Sequence, residues 1–291
     1  MRLLPLAAIC SSFALSIGAC AARTAESVAQ PGAQGWVSLF NGRDLTNWLP
    51  KIYPHDVGVN FGDTFRAESG MIRVKYDKYG DFAGQYGHLH FMKPYSYFHL
   101  KFDYRHVGKM QPGAPSFTNM NSGVMFHSQD PRTMLKMQNW PISVEMQLYS
   151  SLGDGRPRPT GNMCSPGTEV VYQGRIDPRH CINSNAKTYP AGEWVRGELR
   201  VLGDSLVQHI IEGDTVLVYT KPHMKTGTVS GADPKIFIDG KPLTEGYVSL
   251  QSEGQPVDFR NIQILDLVGC TDSRSPSYRA HFVKSDPRKC T

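Results

Sequence analysis

The chain has 291 residues, 40% of them hydrophobic and 10% aromatic, and 31 Lys and Arg against 26 Asp and Glu give a formal net charge of +5. This composition supports one sizeable buried core and excludes a disordered or fibrous chain. The basic residues are scattered, which excludes the stripe or patch of a nucleic-acid-binding protein, and those near the end (Arg274, Arg279, Lys284, Arg288, Lys289) read as a solvated tail.

The chain opens with Arg2, an apolar run from Leu3 to Ile17, and then Ile17-Gly18-Ala19-Cys20. The pattern predicts a secretory signal over 1–19 ending in a lipobox-like site, with Cys20 as the lipid-bearing residue. The run is too short to span a bilayer, and ordinary cleavage near Ala22 is the alternative. Residues 20–34, small or polar with one Pro, suit a flexible tether. On this reading the protein is an exported, bacterial-type lipoprotein of the cell envelope that touches the membrane only through its lipid. Setting aside Cys10 and Cys20 leaves Cys164, Cys181, Cys270 and Cys290, an even set that reads as two disulfides in an exported chain. Of the three possible pairings the local ones, Cys164–Cys181 and Cys270–Cys290, are favoured, because each brackets a loop without a core pattern. A zinc site is the rival reading, and the spacings do not fit the usual CxxC arrangements.

A folded domain is expected over 35–268, followed by a disulfide-closed extension over 269–291. Within the domain, short alternating runs are separated by Gly, Pro, Asn and Asp, and no long segment has helical periodicity. Strands are expected at 71–75, 96–106, 123–127, 144–149, 194–202, 205–211, 215–219, 247–251 and 257–267. Gly203-Asp204 and Glu212-Gly213-Asp214 turn the chain between 194 and 219 into a three-stranded meander. So many strands with few helices predict an all-β sandwich of two antiparallel sheets. Residues 108–121 and 150–190 read as long irregular loops.

The most informative run is Val144-Glu145-Met146-Gln147-Leu148-Tyr149, whose alternation sends Glu145, Gln147 and Tyr149 to one face and three apolar residues to the other. Glu145 is the carboxylate of that row. The second carboxylate of an ordinary glycosidase is not visible near it in sequence.

The opening of the domain, Trp36-Val37-Ser38-Leu39-Phe40-Asn41-Gly42-Arg43-Asp44-Leu45-Thr46-Asn47-Trp48, resembles the opening signature of the 3-keto-disaccharide hydrolase domain family. Similar blocks follow in the same order: Tyr97 to Arg105, Asn121-Ser122-Gly123-Val124-Met125-Phe126, the Glu145 strand, Gly246 to Gln251, and Phe259-Arg260-Asn261-Ile262. The resemblance implies a concanavalin A-like jelly-roll sandwich and chemistry on sugars oxidised at C3, by hydrolases or by lyases paired with hydratases. Fold transfers by such a likeness more safely than activity. In one respect the chain departs from the family pattern, in which an acidic residue and a His follow the last Leu-Gln. Here Ser252-Glu253-Gly254 follow Gln251, so either Glu253 replaces that His or the activity differs.

A ketone at C3 acidifies the hydrogen on C2, so one base can start an elimination that expels the oxygen on C1, and water can then add to the enone. This route needs a base, a partner for the enolate oxygen and groups that hold the sugar. Glu145 is the candidate base, acting directly or through a divalent cation, with Arg260 or His127 stabilising the oxyanion and Gln147 and Gln251 binding hydroxyl groups. The competing roles are a salt-bridged strand residue for Glu145, an anchor for a buried carboxylate such as Asp44 for Arg260, and an edge histidine for His127. Alternation puts Arg260 on the face of Ile262 and Ile264, and His127 on the polar face. His88 and His90 share a strand face and could ligate a metal together. Trp48, Trp140 and Tyr172 are candidates to stack on a sugar ring, against the core role that is the default for an aromatic residue, and Trp140 is the best placed of them.

Three classes of function follow: an enzyme that cleaves 3-keto-glycosides, a carbohydrate-binding module using the same face, and a purely structural surface lipoprotein. The first requires a partner oxidoreductase or another source of the keto sugar.

Overall fold

The computed structural model describes residues 35–227 and 229–291. The expected signal, Cys20 and the tether lie outside the described residues. In chain order the strands are β1 (Trp36–Ser38), β2 (Trp48–Ile52), β3 (Phe65–Glu68), β4 (Met71–Val74), β5 (Gly87–Tyr95), β6 (Tyr97–His106), β7 (Asn121–Ser128), β8 (Val144–Tyr149), β9 (Asn162–Cys164) and β10 (Thr168–Tyr172). They continue as β11 (Arg175–Asp177), β12 (Cys181–Ile182), β13 (Val195–Leu202), β14 (Leu206–Ile211), β15 (Asp214–Met224), β16 (Gly246–Ser252), β17 (Val257–Asp266), β18 (Val268–Gly269) and β19 (Lys284–Ser285). The helical turns among the described residues are 3₁₀ turns of three residues each.

The strands build an antiparallel jelly-roll sandwich. A ten-stranded sheet runs β11-β10-β15-β14-β13-β6-β17-β4-β3 with β1 paired to β17, and a seven-stranded sheet runs β12-β9-β8-β7-β16-β5-β2. β18 and β19 form a small parallel pair. The expected meander is present as β13-β14-β15. The stretch 150–190 is not one irregular loop, because β9 to β12 lie in it. These strands are two to five residues long and show too little alternation to be read from sequence.

Alternation builds the core. Val144, Met146 and Leu148 of β8 join Val124 and Phe126 of β7, Leu89 of β5 and Val248 and Leu250 of β16, and from the facing sheet come Phe98, Leu100, Phe102 and Tyr104 of β6 with Leu199 and Val201 of β13. Each fully buried side chain of this size contributes about 1.5–3 kcal/mol. Both favoured disulfides are formed. Cys164 and Cys181 are direct cross-strand partners, so the first clamps β12 to β9. The second closes the C-terminal segment.

Candidate functional site

Glu145, Gln147 and Tyr149 point away from the core, as the alternation predicts, and cross-strand register gives them neighbours. Glu145 lies opposite Met125 on β7 and Cys164 on β9, while Gln147 lies opposite Gly123 and Asn162, and Tyr149 opposite Asn121. One strand further, Ser249 pairs with Met125 and with His90, and Gln251 pairs with His88, which pairs in turn with Lys51 on β2. Directly opposed residues share a face, so a continuous polar surface crosses the seven-stranded sheet.

Gly123 is the centre of this surface. A Cβ placed there would stand 2.2 Å from Glu145 Oε1 and 2.9 Å from its Cγ and Cδ, so the glycine is needed for space, letting the Glu145 side chain lie across β7. Glu145 is 5% exposed, and its Oε1 has no hydrogen-bond partner. Met125 on one side and the Cys164–Cys181 disulfide on the other supply an apolar wall. Burial without a compensating donor penalises the charged form and pushes the carboxyl up to about 8.

Glu253 is the second carboxyl group. It follows β16 directly, is 4% exposed, and its Oε2 accepts a hydrogen bond of 2.7 Å from Asn121 Nδ2. Burial first, and then the charge of Glu145, raise it well above the ordinary carboxylate range. The next backbone N–H, that of Gly254, donates to the Tyr76 hydroxyl at 2.7 Å and fixes the turn. Glu253 is far from Glu145 along the chain and comes to the polar face only through the pairing of β16 with β7. The pointer in the sequence is the Ser252-Glu253-Gly254 that follows Gln251, where the chain departs from the pattern it resembles.

Tyr149 and Tyr86 flank the pair. Burial raises both phenols, with the charge of Glu253 adding to each and that of Glu145 to Tyr149, so both hydroxyls stay protonated donors. The Arg158 guanidinium lies 3.8 Å from the Tyr149 ring centre and donates to the carbonyls of Asn119, Met120 and Ser150, tying the approach to β7 to the end of β8. Trp140 packs on Tyr86 with ring centres 4.4 Å apart, at the edge of the same surface.

At the other end His88 and His90 are fully buried, and neither nitrogen of either ring has a partner. Ser249 Oγ and Gln251 Oε1 beside them are also unpaired. Burial holds both imidazoles neutral, His88 well below its ordinary value and His90 at about 3. The Lys51 ammonium donates to the carbonyls of Lys136 at 3.1 Å and Gln138 at 3.2 Å, holding the segment before Trp140 over this end. Desolvation lowers Lys51 to about 8. Among the described residues no group of three or more His, Cys, Asp or Glu side chains is placed to hold a metal ion.

Other candidates lie elsewhere. His127 does not share the polar face, because β7 carries an extra residue opposite β16 and His127 has φ +47°, a bulge that turns the ring inward. There it packs against Phe98 and Phe126, and its Nε2 donates to the Gly203 carbonyl at 2.9 Å, across the sandwich. Arg260 is in the ten-stranded sheet. A second bulge, with Asn261 at φ +53°, separates its face from that of Ile262 and Ile264. Its carboxylate partner is Asp103 at 3.2 Å, not Asp44, and its guanidinium lies 3.8 Å from the Trp194 ring centre, in an open groove of about 400 Å³. Asp44 instead accepts from Asn41 and Thr46 within its own turn. Trp48 is buried, donating its indole N–H to the Leu39 carbonyl at 2.8 Å, and Tyr172 lies on β10 in the opposite layer. The site therefore gathers Glu145, Gln147, Gln251, His88, His90 and Trp140, and leaves out His127, Arg260, Trp48 and Tyr172.

Two crystal structures from Parabacteroides distasonis, both provisionally described as glycosyl hydrolases, are similar to this chain. One is 21% identical, with TM-score 0.47 and coverage of 80% of this chain and 94% of the other. The second is 18% identical, with TM-score 0.47 and coverage of 79% and 98%. A Bacillus subtilis protein of unknown function with a galectin-like fold is 12% identical, with TM-score 0.44 and coverage of 76% and 90%. No curated protein sequence matches the chain. Residues 35–265 match the model of the 3-keto-alpha-glucoside-1,2-lyase-like domain, and the chain belongs to that family.

Proposed function

We propose that the protein cleaves 3-keto-glycosides by elimination, with Glu145 as base and Glu253 as acid. The observation that carries this reading is a pair of buried carboxyl groups, Glu145 lying over Gly123 and Glu253 bonded to Asn121 on the same strand, both raised, with the charge of Glu145 adding to the rise of Glu253. Like charges so placed do not ionise together, so Glu145 gives up its proton toward pH 8 while Glu253 keeps its own. A base near 8 is well matched to removing a proton that a neighbouring ketone has acidified.

Glu145 takes the proton from C2, and the electron pair of that bond moves onto the C3 oxygen, where the Tyr149 or Tyr86 hydroxyl donates to the enolate. The enolate then re-forms the ketone and expels the C1 oxygen, which receives the Glu253 proton, leaving an enone to which water adds. Gln147 and Gln251 hold hydroxyl groups. The substrate needs an oxidoreductase of sugar hydroxyl groups to supply it. Export as a lipoprotein through Cys20 belongs to the same proposal, and the two disulfides suit an oxidising compartment.

The test is release of the aglycone from 3-keto-glucosides and from the matching unoxidised glucosides. Release from keto substrates only is expected, with a slower reaction when C2 carries deuterium. Glu145→Gln should reduce turnover by about 10²–10⁴-fold with sugar binding retained. Binding without release from either set would overturn the elimination and leave a carbohydrate-binding module.

A further inference from the structure

Arg158 reaches the polar face from the loop after β8 and places its guanidinium against Tyr149, 3.8 Å from the ring centre. Its donors are taken up by backbone: one terminal nitrogen donates to the carbonyls of Met120 at 3.1 Å and Ser150 at 2.8 Å, and the other to that of Asn119 at 2.8 Å. Its own backbone N–H donates to the Thr188 hydroxyl at 2.7 Å. Met120 has a left-handed φ of +48°, which a residue with a side chain keeps only where its surroundings fix it, and its carbonyl takes a further bond from the Ser150 N–H at 3.2 Å. The segment so fixed leads directly into Asn121, which lies opposite Tyr149 and donates to Glu253. One side chain thus ties the neighbourhood of Glu253 to the ring of Tyr149.

A clip between two segments needs donors and no charge, and an amide would supply them. A guanidinium keeps its charge, and a cation against a phenol ring favours the electron-rich phenolate over the phenol. It therefore makes the hydroxyl a stronger donor toward an oxygen that is becoming negative. Burial raises the Tyr149 phenol most, Arg158 pulls it back, and Glu145 and Glu253 push it up. The Tyr86 ring packs instead on Trp140 and Phe82, with centres 4.4 and 5.1 Å away, and burial and Glu253 both push its phenol upward. We propose that Tyr149 is the catalytic residue that donates to the C3 oxygen, and that Arg158 is the positioning residue that holds its ring and strengthens its hydroxyl. This inference rests on the elimination proposed above and selects between the two phenols. The Tyr149 proton moves toward the C3 oxygen as the C2–H bond breaks, and it returns to the phenol oxygen when the C1–O bond breaks and the ketone re-forms. Tyr149 therefore ends each turnover as it began.

The test is a double-variant cycle on a 3-keto-glucoside, with Tyr149→Phe, Arg158→Gln and the two combined, beside Tyr86→Phe, each checked by thermal melting. Tyr149→Phe should lower kcat about 10²-fold with KM little changed, a larger loss than in Tyr86→Phe. Arg158→Gln should lower kcat about tenfold when Tyr149 is present and have no further effect in the Tyr149→Phe background. If Arg158→Gln does not fold, Arg158→Lys takes its place in the cycle, with the same dependence on Tyr149 expected. A larger loss in Tyr86→Phe overturns the choice of Tyr149. Equal losses from Arg158→Gln in both backgrounds overturn the role of Arg158 and leave it a structural clip. Replacing Tyr149 by a fluorinated tyrosine, whose lower pKa lets it titrate while the fold is intact, gives a readout independent of turnover. Fluorine NMR should show its midpoint rise by about one pH unit in Arg158→Gln, and an unchanged midpoint refutes the action of the cation on the phenol. If the wild type releases no aglycone, the elimination itself fails and the donor role with it, a result distinct from an active wild type whose variants respond additively.

Discussion

A single glycine and a single carboxyl set the character of the site. Gly123 leaves the space in which Glu145 lies, so Gly123→Ala must move the carboxyl, and even a displacement of about 1 Å costs on the order of 10²-fold in rate. The expected outcome is a folded protein with kcat reduced about that much, read by the keto-glucoside assay alongside a melting curve. The raised pKa of Glu145 also has a sign in stability. The folded group holds its proton up to about 8, whereas the unfolded one releases it near 4.5. The native state therefore loses stability as pH rises between those values, by an amount on the order of 3–5 kcal/mol once both limits are passed. Glu145→Gln removes that loss. Urea unfolding should show the variant more stable than the wild type at pH 9 and the difference shrinking toward pH 5.

Among the elements, the bulges and the β9–β12 clamp decide what the strands display. Strict alternation predicts the faces of β8 correctly and fails at His127 and Arg260, because in each case one inserted residue in the left-handed region resets the period. The clamp matters twice, since Cys164 pairs with Cys181 and also lies directly opposite Glu145. Replacing both cysteines by Ser should cost about 2–3 kcal/mol for a loop of sequence separation 17. It should also let water reach the carboxyl, so that the rise of activity with pH moves below 8. A chemical denaturation curve and a pH–rate profile of the double variant read the two effects.

Across the whole molecule, burial makes histidine the acid sensor of the fold. His88 is lowered well below its ordinary value, His90 and His106 to about 3, and His127 and His209 to about 4, in every case chiefly by desolvation. In the unfolded chain all five would charge near 6.5. The unfolded state therefore binds more protons between about 4 and 6.5, and stability is present above that window and lost as pH falls through it. We expect acid unfolding to take up several protons cooperatively, measurable as the slope of unfolding free energy against pH between 5 and 6.

The sequence by itself determined the sandwich class, the two disulfides, the meander, the inward and outward faces of β8 and the family. These depend on local pattern or on blocks of contiguous residues. The opening signature is readable for a structural reason: Asn41 and Asp44 bond within their own turn, Gly42 has φ +80°, and the Trp48 indole closes on Leu39. That block identifies the fold and contributes nothing to the site. Only the tertiary structure decided that Glu253 bonds to Asn121 and comes within range of the Glu145 charge, that Gly123 exists for a side chain on another strand, that His88 and His90 sit beside Ser249 and Gln251, and that Arg260 belongs to Asp103. Each of these depends on register between strands far apart in the chain, and a one-residue bulge, which leaves no mark in composition or periodicity, is enough to change it.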